Sequence, residues 1–375
     1  MSKSTATSAA LAEGGSTDSR RPEPVQSSSR SRPVLWWATL GAAFIALQAY
    51  IYIKWFMSGT MHRTPIGPTP VPEYMKVFAL VLEFGGAAAG AAAVYFWLIR
   101  PWRRNGRIGL DGLLVLAWFT LYWQDTLMNY SQTWVTYNSV LLNLGSWNGE
   151  IPGWMSPNGN QQIEPVLLMV PAYIWAGLGP TLAACWLLRR VRARWPHLSN
   201  RRLAVICFIG FVTFDMVFEP LATFAGWWAW DGSIPSLTLF YGHYYQYPLY
   251  EAVLWGAFWA GATCLRFFVD DKGHTFAEKG ITTLRLSPRH STVVRLLALI
   301  GFMNALYLAY MIPMQLFGLH AEWPADIANR SYFTNELCGY GTQFMCPGTG
   351  VPISRPGAPR LGNNGGLLPP VEPRR

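Results

Sequence analysis

Residues 203–224 read LAVICFIGFVTFDMVFEPLATF, an apolar run directly behind Arg201 and Arg202, broken by Asp215 and Glu219 and by no basic residue. At about 1.5 Å per helical residue, such a run is long enough to cross the roughly 30 Å hydrocarbon core of a bilayer. Outward from it, six more runs of similar length are bounded by charge, Gly or Pro: approximately 35–57, 75–99, 110–130, 165–188, 249–268 and 293–319. The expectation is an all-α, polytopic transmembrane bundle of about seven helices. Composition agrees with it. Only 13% of the residues are charged, against about 25% in ordinary soluble domains, whereas 51% are hydrophobic and 15% aromatic.

The net charge of +9 raises the possibility of nucleic-acid binding. The placement of the basic residues answers it. They cluster at 100–107, 189–202 and 266–295, and no Lys or Arg lies between Arg107 and Arg189 or between Arg202 and Arg266. Under the positive-inside rule, the N-terminus and every second loop face the cytoplasm, while the intervening loops and the C-terminal tail face outward. The basic balance is therefore a topology signal, and no basic face with base-reading groups accompanies it, so no nucleic-acid partner is expected. Residues 1–33 are too polar to bury a core and are expected to form a disordered tail. The membrane domain then covers 34–320, and 321–375 form an outward-facing Pro/Gly-rich tail. The chain is expected in the cell membrane, in contact with its lipids.

Five cysteines exclude a disulfide-rich scaffold. Cys338 and Cys346 fall in the outward tail, on the oxidising side, with seven residues between them; they either close a small disulfide loop or remain two thiols. Cys185, Cys207 and Cys264 lie in helices and read as small packing residues. There is no HExxH, DDxxD or paired-histidine box, so neither a metal nor another cofactor is expected.

The acids are the anomaly. Glu83, Asp125, Glu164, Asp215, Glu219 and Glu251 lie within or at the ends of apolar runs, without a cation in mid-run to pair with. An intramembrane carboxylate is a functional candidate by default. Asp215 and Glu219, four residues apart, share one helix face; two carboxyls that close do not both ionise easily, which suits one for donating a proton and the other for accepting it. Asp125 and Asn129 repeat the spacing. The opposing reading is that these acids hydrogen-bond neighbouring helices and hold the bundle together.

Two loops without lysine or arginine carry aromatic rings interleaved with polar groups. One holds Trp154, Gln161, Gln162 and Glu164; the other holds Trp230, Asp231, His243, Tyr245, Gln246 and, at the next helix, Glu251. An interfacial aromatic belt explains such rings, and so does a pocket for a large, mostly apolar ligand with scattered oxygens. His243 alone reads as a structural histidine.

At these residues the chain resembles the avermectin spirocyclase (AveC-like) family of actinobacterial integral membrane proteins. The likeness rests on Trp123-Gln-Asp125, Ile151-Pro-Gly-Trp154 with Pro157, Glu164-Pro165, Asp215-x-x-x-Glu219 followed by Gly226-Trp-Trp-Ala-Trp230, and Tyr245-Gln-Tyr-Pro-Leu-Tyr-Glu251, over roughly residues 35–320. The resemblance implies spiroketal-type ring closure on a polyketide of secondary metabolism, a dehydration needing acid and base but neither redox cofactor nor nucleotide. On that expectation Asp215 and Glu219 supply acid and base, with Glu251, Asp125 and Glu164 as further acids. Trp154, Trp230, His243, Tyr245, Gln246 and Asn129 would line the substrate pocket. The competing expectation is a non-enzymatic membrane accessory or lipid- or sterol-handling protein.

Overall fold

The computed structural model of the chain describes residues 32–320, 322–339, 342, 344–347, 360–361 and 367–368. The polar stretch 1–31 and most of 348–375 lie outside the described residues. The molecule is mostly helical: α1 (Pro33–Ser58), α2 (Glu73–Asn105), α3 (Leu110–Phe119), α4 (Val166–Arg194), α5 (Asn200–Phe224), α6 (Leu249–Phe267) and α7 (Pro288–Gly318). Among them α1, α2, α4, α5 and α7 are long and apolar enough to cross a membrane.

The third run departs from its expected helix over 110–130. α3 stops at Phe119, and after a turn the chain tightens into a 3-10 helix, Tyr122–Asn129. The side chains explain the stop. The Thr120 hydroxyl donates back to the Ala117 carbonyl (2.7 Å), while Trp123 Nε1 and Gln124 Nε2 both donate to Asn304 Oδ1 of α7 (2.9 and 2.7 Å). Asn304 in turn donates to Thr120 Oγ1 at 3.0 Å. A continued α-helix would turn some of these polar groups toward lipid, whereas the 3-10 winding keeps residues 122–126 buried.

α7 runs along α1, and the two backbones touch. A Cβ added to Gly41 would sit 2.0 Å from the Leu297 carbonyl oxygen, and one added to Gly301 would sit 2.1 Å from that of Trp37. Only glycine permits this approach, the usual device for joining helices where no hydrophobic driving force distinguishes side chain from lipid. α5 packs on α6 in the same manner through Gly256, whose added Cβ would meet Val212 Cγ2 at 2.8 Å. α4 contains Pro171 and widens into a π-helical stretch at Tyr173–Leu178 just beyond it. At the end carrying the basic clusters, Arg266 of α6 pairs with Asp111 of α3, and Arg295 of α7 pairs with buried Glu278 at 2.5 Å.

At the opposite end, the loops after α3 and α5 and residues 322–339 and 344–347 fold together into a cap. Thr136–Tyr137 (β1) pairs antiparallel with Trp228–Ala229 (β2), and Thr238–Leu239 (β3) with Tyr247–Pro248 (β4). The tail is tied in by Trp323 Nε1 to the Thr133 carbonyl (3.0 Å), Ser139 N to the Tyr332 carbonyl (2.9 Å) and Asn335 Nδ2 to the Tyr137 carbonyl (3.0 Å). Tyr332 and Phe333 are fully buried, and a disulfide joins Cys338 to Cys346. Residues 322–339 and 344–347 thus pack into the cap.

Candidate active site

Five of the six singled-out carboxyl groups gather into two sets, and four of the five line one cavity of about 150 Å³ beneath the cap. A cavity of that size admits a benzene-sized group. Glu219 and Glu251 of one set and Asp125 and Glu164 of the other line it, together with seven tryptophans, Trp118, Trp175, Trp227, Trp228, Trp230, Trp255 and Trp259. Among the described residues none of the five acids is ion-paired with a Lys, Arg or His.

The first set sits on two packed helices. Asp215 and Glu219 of α5 and Glu251 of α6 bring carboxylate oxygens within 4.8 Å of one another. Each accepts one hydrogen bond: Asp215 from the Tyr247 hydroxyl (2.6 Å), Glu219 from Trp228 Nε1 (3.0 Å) and Glu251 from the Tyr310 hydroxyl (2.9 Å). Asp215 Oδ1 and Glu251 Oε2 are buried without a donor from any other group, and the two carboxyls adjoin each other. A hydrogen bond between carboxyls requires a proton on one of them. Asp215 does not reach the cavity wall; it stands behind Glu251. The three oxygens also have the spacing to hold a cation.

The second set is assembled from a turn and a loop. Asp125 rides on the 3-10 helix anchored by Asn304. Glu164 is brought beside it by a ladder of buried amides and hydroxyls: Thr126 donates to Asn148, Asn148 to Gln162, and Gln162 to Thr133 Oγ1 at 3.2 Å. The antiparallel bridge between Asn143 and Pro165 fixes the approach. Asp125 Oδ2 accepts from the Tyr137 hydroxyl (2.8 Å) and Oδ1 from that of Tyr173 (2.5 Å), which meets the Tyr307 hydroxyl at 2.5 Å. Glu164, just outside the apolar helix that follows, adjoins Asp125, and neither of its buried oxygens meets a donor from any other group. Burial first, then the Asp125 charge, pushes its pKa well above the ordinary carboxylate range.

Two connections hold the sets at a fixed separation. Tyr137 lies directly opposite Trp228 in the β1–β2 register, so one strand pair carries a donor to Asp125 and a donor to Glu219. Tyr307 and Tyr310, three apart on one face of α7, repeat the arrangement from the other side.

Of the other expected pocket residues, Trp230 and Asn129 line the cavity. Asn129 is tied up in the backbone, accepting from Trp134 N and Val135 N and donating to the Val135 carbonyl. Trp154 packs on Tyr130, and exposed His243 stacks on Tyr245 at 5.0 Å, both away from the cavity. Buried Gln246 closes its own loop, donating to the Trp230 carbonyl at 2.6 Å. Glu83 accepts from Leu142 N at 2.6 Å and fastens the cap. The tyrosines 137, 173, 307 and 310 were not legible as site residues. Only the three-residue spacing on α7 hints at a shared face, and a helix in a core often shows as much.

A family model described as "Spirocyclase AveC-like" matches residues 102–335, more than half of the chain. The chain belongs to the spirocyclase AveC-like family. The matched region begins in the last turn of α2, later than the expected start near 35, and continues to Asn335, so the family's segment includes both carboxyl sets and most of the cap. No curated protein and no solved structure matches the chain.

Proposed function

We propose that the protein is a cofactor-independent cyclase that closes a spiroketal-like ring on a hydrophobic polyketide or lipid-like substrate within the membrane. In the reaction, an acid protonates the hydroxyl of a hemiketal, the C–O bond breaks and water departs, leaving an oxocarbenium ion. A second hydroxyl of the same molecule attacks it and gives its proton to a base, so the net change is loss of one water. The two carboxyl sets supply acid and base on opposite walls, and carboxylate charge steadies the cation between them. The aromatic lining holds an apolar chain and orders the face of attack. Asp215 acts from behind the wall rather than on the substrate. We further read the bundle as crossing seven times, α3 with its 3-10 extension and α6 completing the count, with the N-terminus cytoplasmic and the cap outside.

The single observation that supports this reading is one aromatic cavity lined by members of two carboxyl sets that, among the described residues, have no paired cation. Family membership supports the reaction class. The test is to incubate the purified protein with long-chain dihydroxyketones and follow spiroketal formation by chiral chromatography. Stereoselective product from the wild type, absent with Glu219→Gln and Asp125→Asn proteins that fold, supports the proposal. Substrate bound tightly yet returned unchanged by the wild type would favour the accessory, lipid-handling reading.

A further inference from the structure

Hydrogen-bond polarity divides the labour between the two walls. An ionised carboxylate only accepts, so Tyr173, whose one proton is spent on Asp125 Oδ1, can only accept at its contact with Tyr307. Tyr307 must therefore be the donor to Tyr173. The chain Tyr307 to Tyr173 to Asp125 then has one direction, and its far end is the hydroxyl oxygen of Tyr307, a cavity-lining residue, whose own proton is already committed. What that oxygen has left to offer is a lone pair. Asp125 also accepts from the Tyr137 hydroxyl, so the negative charge at the end of the chain is held by Tyr137, Tyr173 and, behind Tyr173, Tyr307.

The other set is built the other way round. Its inner member, Asp215, accepts from Tyr247 and adjoins Glu251 behind the surface. The groups it presents to the cavity are Glu219 and Glu251.

Building on the ring-closure reading, we propose that Tyr307 is a catalytic residue that takes the proton of the attacking hydroxyl and relays it through Tyr173 to Asp125, while Glu219 is the acid that releases water. As the new C–O bond forms, the substrate O–H proton passes to Tyr307 Oη, the Tyr307 proton to Tyr173, and the Tyr173 proton to Asp125 Oδ1. The proton lost by Glu219 leaves in the departing water. The excess proton on Asp125 returns to Glu219 across the cavity through water before the next turnover. Tyr307 touches the substrate; Tyr173 acts through it as the relay.

The test is a double-mutant cycle on turnover. Tyr307→Phe and Tyr173→Phe, each removing one hydroxyl, are expected to lower kcat by about 10²-fold with KM within about twofold, and to cost nothing further in an Asp125→Asn background. Losses that multiply with Asp125→Asn, or a Tyr307→Phe protein of full activity, would overturn the relay while leaving ring closure intact. A wild type that closes no dihydroxyketone would refute the ring-closure reading itself, and the relay with it. If Tyr307→Phe does not fold, the Tyr173→Phe cycle with Asp125→Asn decides the relay by the same criterion.

Discussion

The two walls of the cavity are built from different materials. One is two packed helices, α5 and α6, whose carboxyls project at fixed helical spacing and whose contact depends on a glycine. The other is a 3-10 turn and the end of a loop, held together by a ladder of buried amides, hydroxyls and tyrosines. A helix pair sets the distances of its side chains through backbone geometry alone. A loop needs every polar group satisfied to do the same, and a half-satisfied network loses its shape. The first wall should therefore tolerate damage to the cap, and the second should not.

The largest effect expected is on chemistry. Glu219→Gln and Asp125→Asn should each lower turnover by about 10²- to 10⁴-fold, measured on folded protein, with substrate affinity little changed. Equal activity of either variant and wild type would remove that wall from the mechanism. Gly256→Leu comes next. It forces α5 from α6 and should cost about 1–3 kcal/mol of thermal stability in detergent as an overpacking change, with the spacing of the first wall lost and that of the second kept.

A gentler cut separates the walls from the opposite side. Asp231 is fully buried in the cap, with Thr136 Oγ1 donating to Oδ1 at 2.9 Å and Oδ2 without a donor. Thr136→Val leaves that carboxyl bare and should cost the cap about 1–3 kcal/mol, seen as faster hydrogen exchange in residues 130–165 with α5 and α6 unchanged. Equal exchange in both regions would contradict the distinction. Burial also pushes the pKa of Asp231 well above the usual carboxylate range. The folded state then holds its proton where the unfolded chain has lost it, so this contribution is intact below about pH 4 and falls as pH rises toward the folded value. Asp231→Asn should remove this pH dependence of the cap's melting; an unchanged melting profile would show that Asp231 does not carry it. The smallest effect is that of the disulfide. Reducing Cys338–Cys346 should loosen residues near the tail while activity stays near wild type, because both walls lie elsewhere.

The difference between the walls also explains what could be read beforehand. The spacing of Asp215 and Glu219 is a local pattern, and an apolar run around it announces a helix, so that wall was legible in one dimension. The partnership of Asp125 with Glu164 is not local: it depends on a helix that stops at Phe119 because Thr120, Trp123 and Gln124 find Asn304 on α7. Nothing along residues 110–130 encodes that stop without its distant partner. The same holds for Tyr137 and Trp228, whose register is set by pairing two separate loops. His243, Tyr245 and Trp154 illustrate the converse. Aromatic and polar residues interleave in a cap that folds on itself just as they do in a pocket, and composition does not distinguish the two.

The pH dependence of kcat in wild type, Asp125→Asn and Glu219→Gln most directly tests whether the walls act as base and acid. Walls acting as base and acid give a bell-shaped wild-type profile from which Asp125→Asn deletes the acidic limb and Glu219→Gln the basic limb. Both substitutions lowering kcat uniformly, with the bell unchanged in shape, would contradict it.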